Sequence, residues 1–542
     1  MDLLDYWALI PGLLLIIGYG FYRWSIATFD YFERRSVPYR KPIPLFGNFW
    51  HLFTGKIHSN DVISEGYRLF PNARFSGVFA FRRPGYLIHD PELIKQITIK
   101  DFDHFTDHAN NLTEDVDPLV GRALFFNTGN HWRLGRSGLS PAFTGSKMRN
   151  MFELISTYSE GVLCRLAKGL KVERLEREMK DFIQRFATDV ISSISLGVEV
   201  DSIHDSNNDF FTYGQRLIST KGIQGFKLFV LTMLPAEFFT TLGIKIVPKD
   251  VADFYEHTVA TTIAQREQLK IVRPDFIHLL TLARKNKLKA ELADDKSSSF
   301  GFSTVKEYSQ ALPEDIKSRW TDMDIAAAAA TFFVGGIDTT TSTLCFALYE
   351  MALNPQIQEK LRSEIDNARE NIGNQNLSYD VLQQMKYLDM VMSETLRRWP
   401  PIGVTNRKCT KPYQMKNSDG TSVTVEKDQL IEIPIQAVHW DERIYPDPLR
   451  FDPDRFSDEN RAKINQNAYL PFGSGPRNCI GSRLALMQAK CFLFYLLAYF
   501  TVEMSQRTTV PIQLDKRSFS IDAVGGFWFH LTPRVDKLPK IN

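Results

Sequence analysis

Cysteine is scarce in this chain. Five thiols, Cys164, Cys345, Cys409, Cys479 and Cys491, stand among 542 residues, widely spaced and with no Cys-x-x-Cys pair. An odd, scattered set excludes a disulfide framework or a zinc knuckle and points to reduced thiols in a reducing compartment. Charge of one sign is lacking too: 65 Lys and Arg oppose 63 Asp and Glu, a formal +2 with no long run of either. Nothing in that balance advertises a nucleic-acid partner, so a charged partner must be met by a local patch. There is no internal repeat. The hydrophobic share of 44% and charged share of 24% are ordinary for globular protein, which excludes disorder, collagen-like repeat and coiled coil for the whole.

Long apolar runs are absent except at the start, where residues 6–22 hold 17 positions without a charge. That is just long enough to cross a bilayer, which takes roughly 17–25 residues. Asp2 and Asp5 precede the run, while Arg23, Arg34, Arg35, Arg40 and Lys41 follow it. This pattern argues against a cleaved signal peptide and places the following chain on the cytosolic side. Residues 1–22 are therefore expected to form a retained transmembrane anchor. Residues 23–50, basic and broken by Pro38, Pro42, Pro44 and Gly47, are expected to form a stiff hinge. Residues 51–542 are expected to form one catalytic body. Its periodicity is mainly helical, over 148–166, 173–196, 322–353, 354–371 and 483–500, with short alternating pieces at 422–425 and 430–435. The fold class is thus mainly α with a minor β-sheet region. A polar stretch at 294–309 reads as a surface loop.

The chemistry is concentrated in residues 471–481, PFGSGPRNCIG, which run directly into an apolar helix. Gly473 and Gly475 permit a tight loop around Cys479, and a helix N-terminus with Arg477 beside it favours a thiolate. Phe472 can form a wall, and Gly481 allows a large flat ligand to approach. The segment resembles the cysteine loop of cytochrome P450, F-x-x-G-x-R-x-C-x-G, matched by Phe472, Gly475, Arg477, Cys479 and Gly481. A dinucleotide loop beginning at Gly473 fails, because its last position is Asn478. The resemblance implies haem b with Cys479 as axial iron ligand.

Other segments resemble the family in the expected order. An alanine run, Gly335-Gly336 and then Asp338-Thr339-Thr340 resembles the oxygen-activation helix; a hydroxyl and an acid mid-helix can bend the ladder. By resemblance, Asp338 supplies protons and Thr339 steers them. Glu394 and Arg397, with Arg455, resemble the buried Glu-Arg-Arg cluster and imply a structural role; Asp454 stands where the family usually has Glu. Trp132 and Arg136, one helical turn apart, together with Arg407 and Arg477, match propionate-binding positions. Leu124, Phe125, Phe126, Phe332, Ile402, Val404 and Val524 fall in segments that by resemblance line the substrate pocket, as does the region 210–235.

The resemblance further implies a monooxygenase that hydroxylates or epoxidises lipophilic small molecules, xenobiotics or endogenous lipids and hormones, using O2 and NADPH. NADPH-cytochrome P450 reductase and cytochrome b5 are its implied redox partners, with attachment to the endoplasmic reticulum (microsomal) membrane. The pattern is similar to insect microsomal forms that clear toxins. A reductase-independent haem-thiolate isomerase or dehydratase is argued against by Asp338-Thr339, and a non-catalytic haem or lipophile binder would not need Thr339. Lys147, Arg149 and Lys490 are candidates for a basic docking face. His104 and His108, among Asp101, Asp103 and Asp107, read as a solvated face, not a metal site. The sequons at Asn111 and Asn376 would go unused in the cytosol.

Overall fold

The computed structural model describes residues 3–53, 57–110, 112–170, 173–219, 225, 227, 230–231, 236–285, 301–305, 320–373, 375–516, 518 and 520–538. Asn111, most of 294–309 and part of 210–235 lie outside the described residues. The chain divides into two compact units, Met1–Ala109 with Val404–Val438 and Asn110–Gly403 with His439–Asn542, and residues 51–542 contribute to both.

The first unit opens with the helix Leu3–Ile26, which carries Pro11 inside it. Every described side chain from Ile10 to Trp24 is exposed, including Leu15 at 75% and Ile16 at 71%. Among the described residues no helix is long and apolar enough to cross a membrane. Four strands form one sheet in the order β1-β2-β7-β4: β1 Phe75–Ala80, β2 Arg83–Ile88, β4 Thr405–Lys408 and β7 Leu430–Ile433. The β2–β7 pair is parallel and the other two are antiparallel. A separate hairpin joins β5 Tyr413–Lys416 to β6 Ser422–Val425. β7 stops two residues short of expectation because Pro434, which lacks an N–H, leads into the helix Ile435–His439.

The expected hinge does not stand apart. Phe32 is fully buried and its ring packs edge-on against Phe79 and Tyr86 at 5.0 and 5.4 Å. Gly77 is glycine for that reason, since a Cβ there would lie 2.5 Å from the Phe32 ring. Pro38 O accepts from the Gly77 N–H and Asn48 N–H donates to Phe79 O, so residues 38–48 run along β1.

In the second unit the helix Asp322–Leu353 follows the expected bounds. It begins at a capping box in which Thr321 and Asp324 satisfy each other's backbone N–H groups, and it gives way at Asn354-Pro355. It packs against the helices Met179–Ile191, Lys249–Leu269, Lys386–Arg398 and Ser482–Tyr499. The last of these is mostly apolar and buried from Leu486 to Tyr499, Gln488 and Lys490 included. A small antiparallel sheet runs β3-β9-β8, from Leu175–Glu178, Trp528–Pro533 and Phe500–Met504. Residues 173–196, expected as one helix, instead begin as β3 because 175–178 pair with β9. They end in a π turn, Ser192–Leu196, closed by Gly197 at φ 71°.

Candidate functional site

Cys479 lies two residues before Gly481, the N-cap of Ser482–Tyr499. Its N–H donates to Phe472 O at 2.8 Å, closing the loop, while Gly473 and Gly475 take the left-handed φ of 73° that the turn requires. The adjoining peptide carbonyl, Asn478 O, accepts from Arg136 Nη1 at 2.8 Å, and Asn478 Oδ1 accepts from Nη2 at 2.6 Å. The peptide unit that carries Cys479 is thereby clamped at both ends. Arg477 Nη2 donates to Asn127 O at 2.6 Å and Nη1 to Leu124 O at 3.3 Å, and the guanidinium lies 4.2 Å from the Trp132 ring centroid. Trp132, Arg136, Arg477 and Cys479 are thus brought together. Asn478, which links two of them, has no distinguishing signal in the sequence beyond its place beside Cys479.

Only Cys479 of the five cysteines is exposed. Cys345, Cys409 and Cys491 are buried, Cys164 is half-buried and Cys479 is exposed. Burial pushes the Cys409 thiol up to about 11, Cys491 up to about 12 and Cys345 well above its ordinary value. Metal ligation needs a thiolate, so these three are poorly suited to it.

The helix Asp322–Leu353 is buried at Ile325–Ala330 and again from Thr340 to Met351, but Thr331, Phe332, Val334, Gly335, Asp338 and Thr339 between them stay accessible. The two glycines there differ. A Cβ on Gly335 would meet nothing within 4 Å, whereas one on Gly336 would lie 2.6 Å from Ile191 Cδ1. Gly336 therefore serves helix packing, and only Gly335 keeps the accessible face bare. The helix is unbroken; Thr339 Oγ1 donates to Gly335 O at 2.7 Å, and Asp338 Oδ2 accepts from Ser520 at 2.5 Å. Phe143 links this face to the cysteine loop: its ring is 5.3 Å from Phe332, and a Cβ on Gly481 would lie 3.9 Å from its Cε1. Sequence reasoning missed Phe143, which no motif marks.

Glu394 and Arg397 are fully buried and joined by two hydrogen bonds of 2.7 and 2.9 Å. Arg455 Nε lies 3.5 Å from Glu394 Oε1, and the Asp452 N–H donates to the same oxygen. Arg397 also donates to His439 O and Pro448 O at 2.8 Å each. His439 Nε2 accepts from the Leu470 N–H at 2.9 Å, which ties the cluster to the start of the cysteine loop. Arg407 belongs to the other unit; on β4 it is buried, donates to Asn406 O at 2.7 Å, and burial pushes its guanidinium down to about 10.

The pocket residues are placed unequally. Leu124 is buried and Phe125 is 51% exposed, while Phe126 packs against a cluster of Leu112, Val116, Leu231, Phe239 and Ile246. The Phe332 ring meets Phe143 edge-on at 5.3 Å and Phe276 at a tilt at 4.8 Å, and Val524 borders a polar cavity. Ile402 is half-buried in the second unit, and Val404, also half-buried, begins a segment of the first. Lys490 is fully buried and paired with Asp389 at 2.6 Å, so it leaves the proposed basic docking face. Asp107 and His108 are buried too, not a solvated face; among the described residues no group of three ligands could hold a metal ion.

An accessible thiol at a helix N-terminus, two clamping guanidinium groups, and a bare, hydroxyl-bearing helix face make a donor set that suits an iron porphyrin. The sequence profile of cytochrome P450 matches residues 37–528. Cytochrome P450 9e2 of Blattella germanica is 36% identical over 546 residues, covering 98% of each chain. Probable cytochrome P450 9f2 of Drosophila melanogaster is 36% identical over 531 residues, covering 96% of this chain and 99% of its own. Probable cytochrome P450 6a14 of the same fly is 36% identical over 524 residues, 96% and 98% of the two chains. Extending along nearly the whole length, these likenesses establish that the chain belongs to the cytochrome P450 family of haem-thiolate monooxygenases.

Proposed function

We propose that this chain is a membrane-attached monooxygenase that oxidises lipophilic small molecules with electrons from NADPH by way of a flavoprotein reductase, and that Cys479 is its axial iron ligand. The observation that carries the assignment is the accessibility of Cys479, set against three buried cysteines, on a peptide clamped by Arg136 and by the Phe472 carbonyl. Haem, when bound, supplies the oxygen-activating iron chemistry. The chain's own residues do the rest. Arg136 fixes the peptide of Cys479, and Arg477 fixes the loop to the 124–127 segment and adds positive charge that favours the thiolate. Gly335 leaves room beside the accessible helix face, and Asp338 and Thr339 hold and move protons there. Glu394, Arg397 and Arg455 keep the scaffold in register. Phe332 and Leu124, on the same unit, are apolar groups suited to a lipophilic substrate. Xenobiotics stand among the lipophilic substrates proposed for it, on the family resemblance.

Membrane attachment is assigned to Leu3–Ile26, whose large apolar side chains from Ile10 to Trp24 are exposed. The deciding experiment is the difference spectrum of the reduced protein with carbon monoxide. The red-shifted band of thiolate-ligated haem is expected from the wild type and lost in Cys479→Ser; persistence of that band in the variant would reject Cys479 as ligand. Haem uptake without NADPH consumption in the presence of reductase and substrate would reject the monooxygenase reading.

A further inference from the structure

Asp338 and Thr339 adjoin in sequence but engage different partners. Thr339 turns its hydroxyl back to Gly335 O, while Asp338 takes the hydroxyl of Ser520 from a distant segment. Ser520 is buried. Two residues on, the carboxylate of Asp522 accepts from the Lys180 ammonium at 2.5 Å. Burial pushes the Lys180 ammonium down, but Asp522 and then Asp338 more than offset it and leave it raised, so the positive charge persists between the two carboxylates. A solvent-open cavity of about 470 Å³ lies against this pair, lined by Glu178, Lys180, Asp181, Asp515 and Asp522. Besides Glu178, Asp181 and Asp515 of the cavity wall, the buried Cys345 thiol lies near Asp522 and Asp338, and burial holds it well above its ordinary range. The reaction as proposed above uses none of Ser520, Asp522, Lys180 or the cavity.

We infer that Ser520, backed by the Lys180–Asp522 pair, is the solvent-side leg of proton supply to Asp338, with the polar cavity as its entrance. In one passage the Ser520 hydroxyl gives its proton to the Asp338 carboxylate while its oxygen takes a proton relayed from hydronium in the cavity, which is left as water. One O–H bond breaks and one forms at Ser520, and no electron changes hands. The Lys180 charge keeps Asp338 and Asp522 from repelling each other across the route. The inference rests on Asp338 being the proton donor to the reaction.

The test uses the full-length haem-loaded protein with reductase and compares wild type, Ser520→Ala, Ser520→Thr, Lys180→Met and Asp338→Asn. Product formed per NADPH is expected to fall about tenfold in Ser520→Ala, a modest share of what a positioned acid or base contributes, with a larger solvent deuterium isotope effect, and to recover in Ser520→Thr. A second readout needs no turnover. The hydrogen bond makes the two side chains interdependent, so the fall in melting temperature in Ser520→Ala at neutral pH should shrink when Asp338 is already Asn. Should Ala at 520 prevent folding, Lys180→Met carries the test, with the same direction expected in coupling. Wild-type coupling in Ser520→Ala, or a fall in melting temperature undiminished in the Asp338→Asn background, overturns the inference. Full coupling in Asp338→Asn overturns the role of Asp338 together with the route, and is told apart from failure of the route alone, in which Asp338→Asn uncouples and Ser520→Ala does not.

Discussion

At the scale of single residues, burial decides what each charged group can do. Glu394 and Arg397 have no exposed side-chain surface, and the pair is held together by two hydrogen bonds. Removing the carboxylate strands a buried guanidinium, a change that typically costs about 3–5 kcal/mol. Glu394→Gln is therefore expected to unfold at markedly lower urea, and a midpoint equal to the wild type would refute a structural role for the pair. Arg455, more distant at 3.5 Å and with 14% of its side chain exposed, should matter less. Arg136→Ala is a different case. Its loss frees Asn478 and so the Cys479 peptide, and the expected result is weaker haem retention on gel filtration with an otherwise folded protein.

At the scale of elements, the long helix carries two adjacent glycines with opposite predicted behaviour. Gly336→Ala forces a Cβ against Ile191 and should destabilise by about 1–3 kcal/mol through overpacking. Gly335→Ala meets no protein atom; helix propensity alone favours it by about 0.5–1 kcal/mol, while the added methyl narrows the accessible face. Its stability should rise as its haem or substrate affinity falls, measured by thermal melting and spectral titration. If the two substitutions behaved alike, the assignment of one glycine to packing and the other to the site would be wrong. The first helix is a simpler element: deleting residues 1–22 should shift the protein from the membrane pellet to the supernatant, and undiminished pelleting would place the attachment elsewhere.

At the scale of the whole molecule, two buried groups make stability depend on pH in opposite directions. Burial first, and the Arg397 charge second, push His439 from 6.5 down to about 3, and its accepting Nε2 requires the neutral ring. The unfolded chain takes a proton below about pH 6.5 that the folded chain refuses, so stability is full above that value and is lost as pH falls toward 3. Burial pushes the Glu432 carboxyl from 4.5 up to about 8. The unfolded chain ionises it above 4.5 while the folded chain keeps it neutral, so stability is lost as pH rises from 4.5 toward 8. Glu432→Gln should accordingly raise the melting temperature at pH 8 and leave it unchanged at pH 4; equal effects at both would remove Glu432 as the cause.

The order of motifs, the bounds of Asp322–Leu353 and the position of Cys479 at a helix start were all legible in the sequence, because periodicity, capping residues and glycine placement act over a few positions of chain. Four features were not legible. Residues 175–178 became a strand because β9 pairs with them, Lys490 sank into a pair with Asp389, Arg136 closed on Asn478, and Asp338 found Ser520. Each joins positions about one hundred to more than three hundred residues apart. Local spacing establishes which groups a segment can offer. Only packing between distant segments determines which of those groups meet, which lose water, and which remain accessible to a ligand.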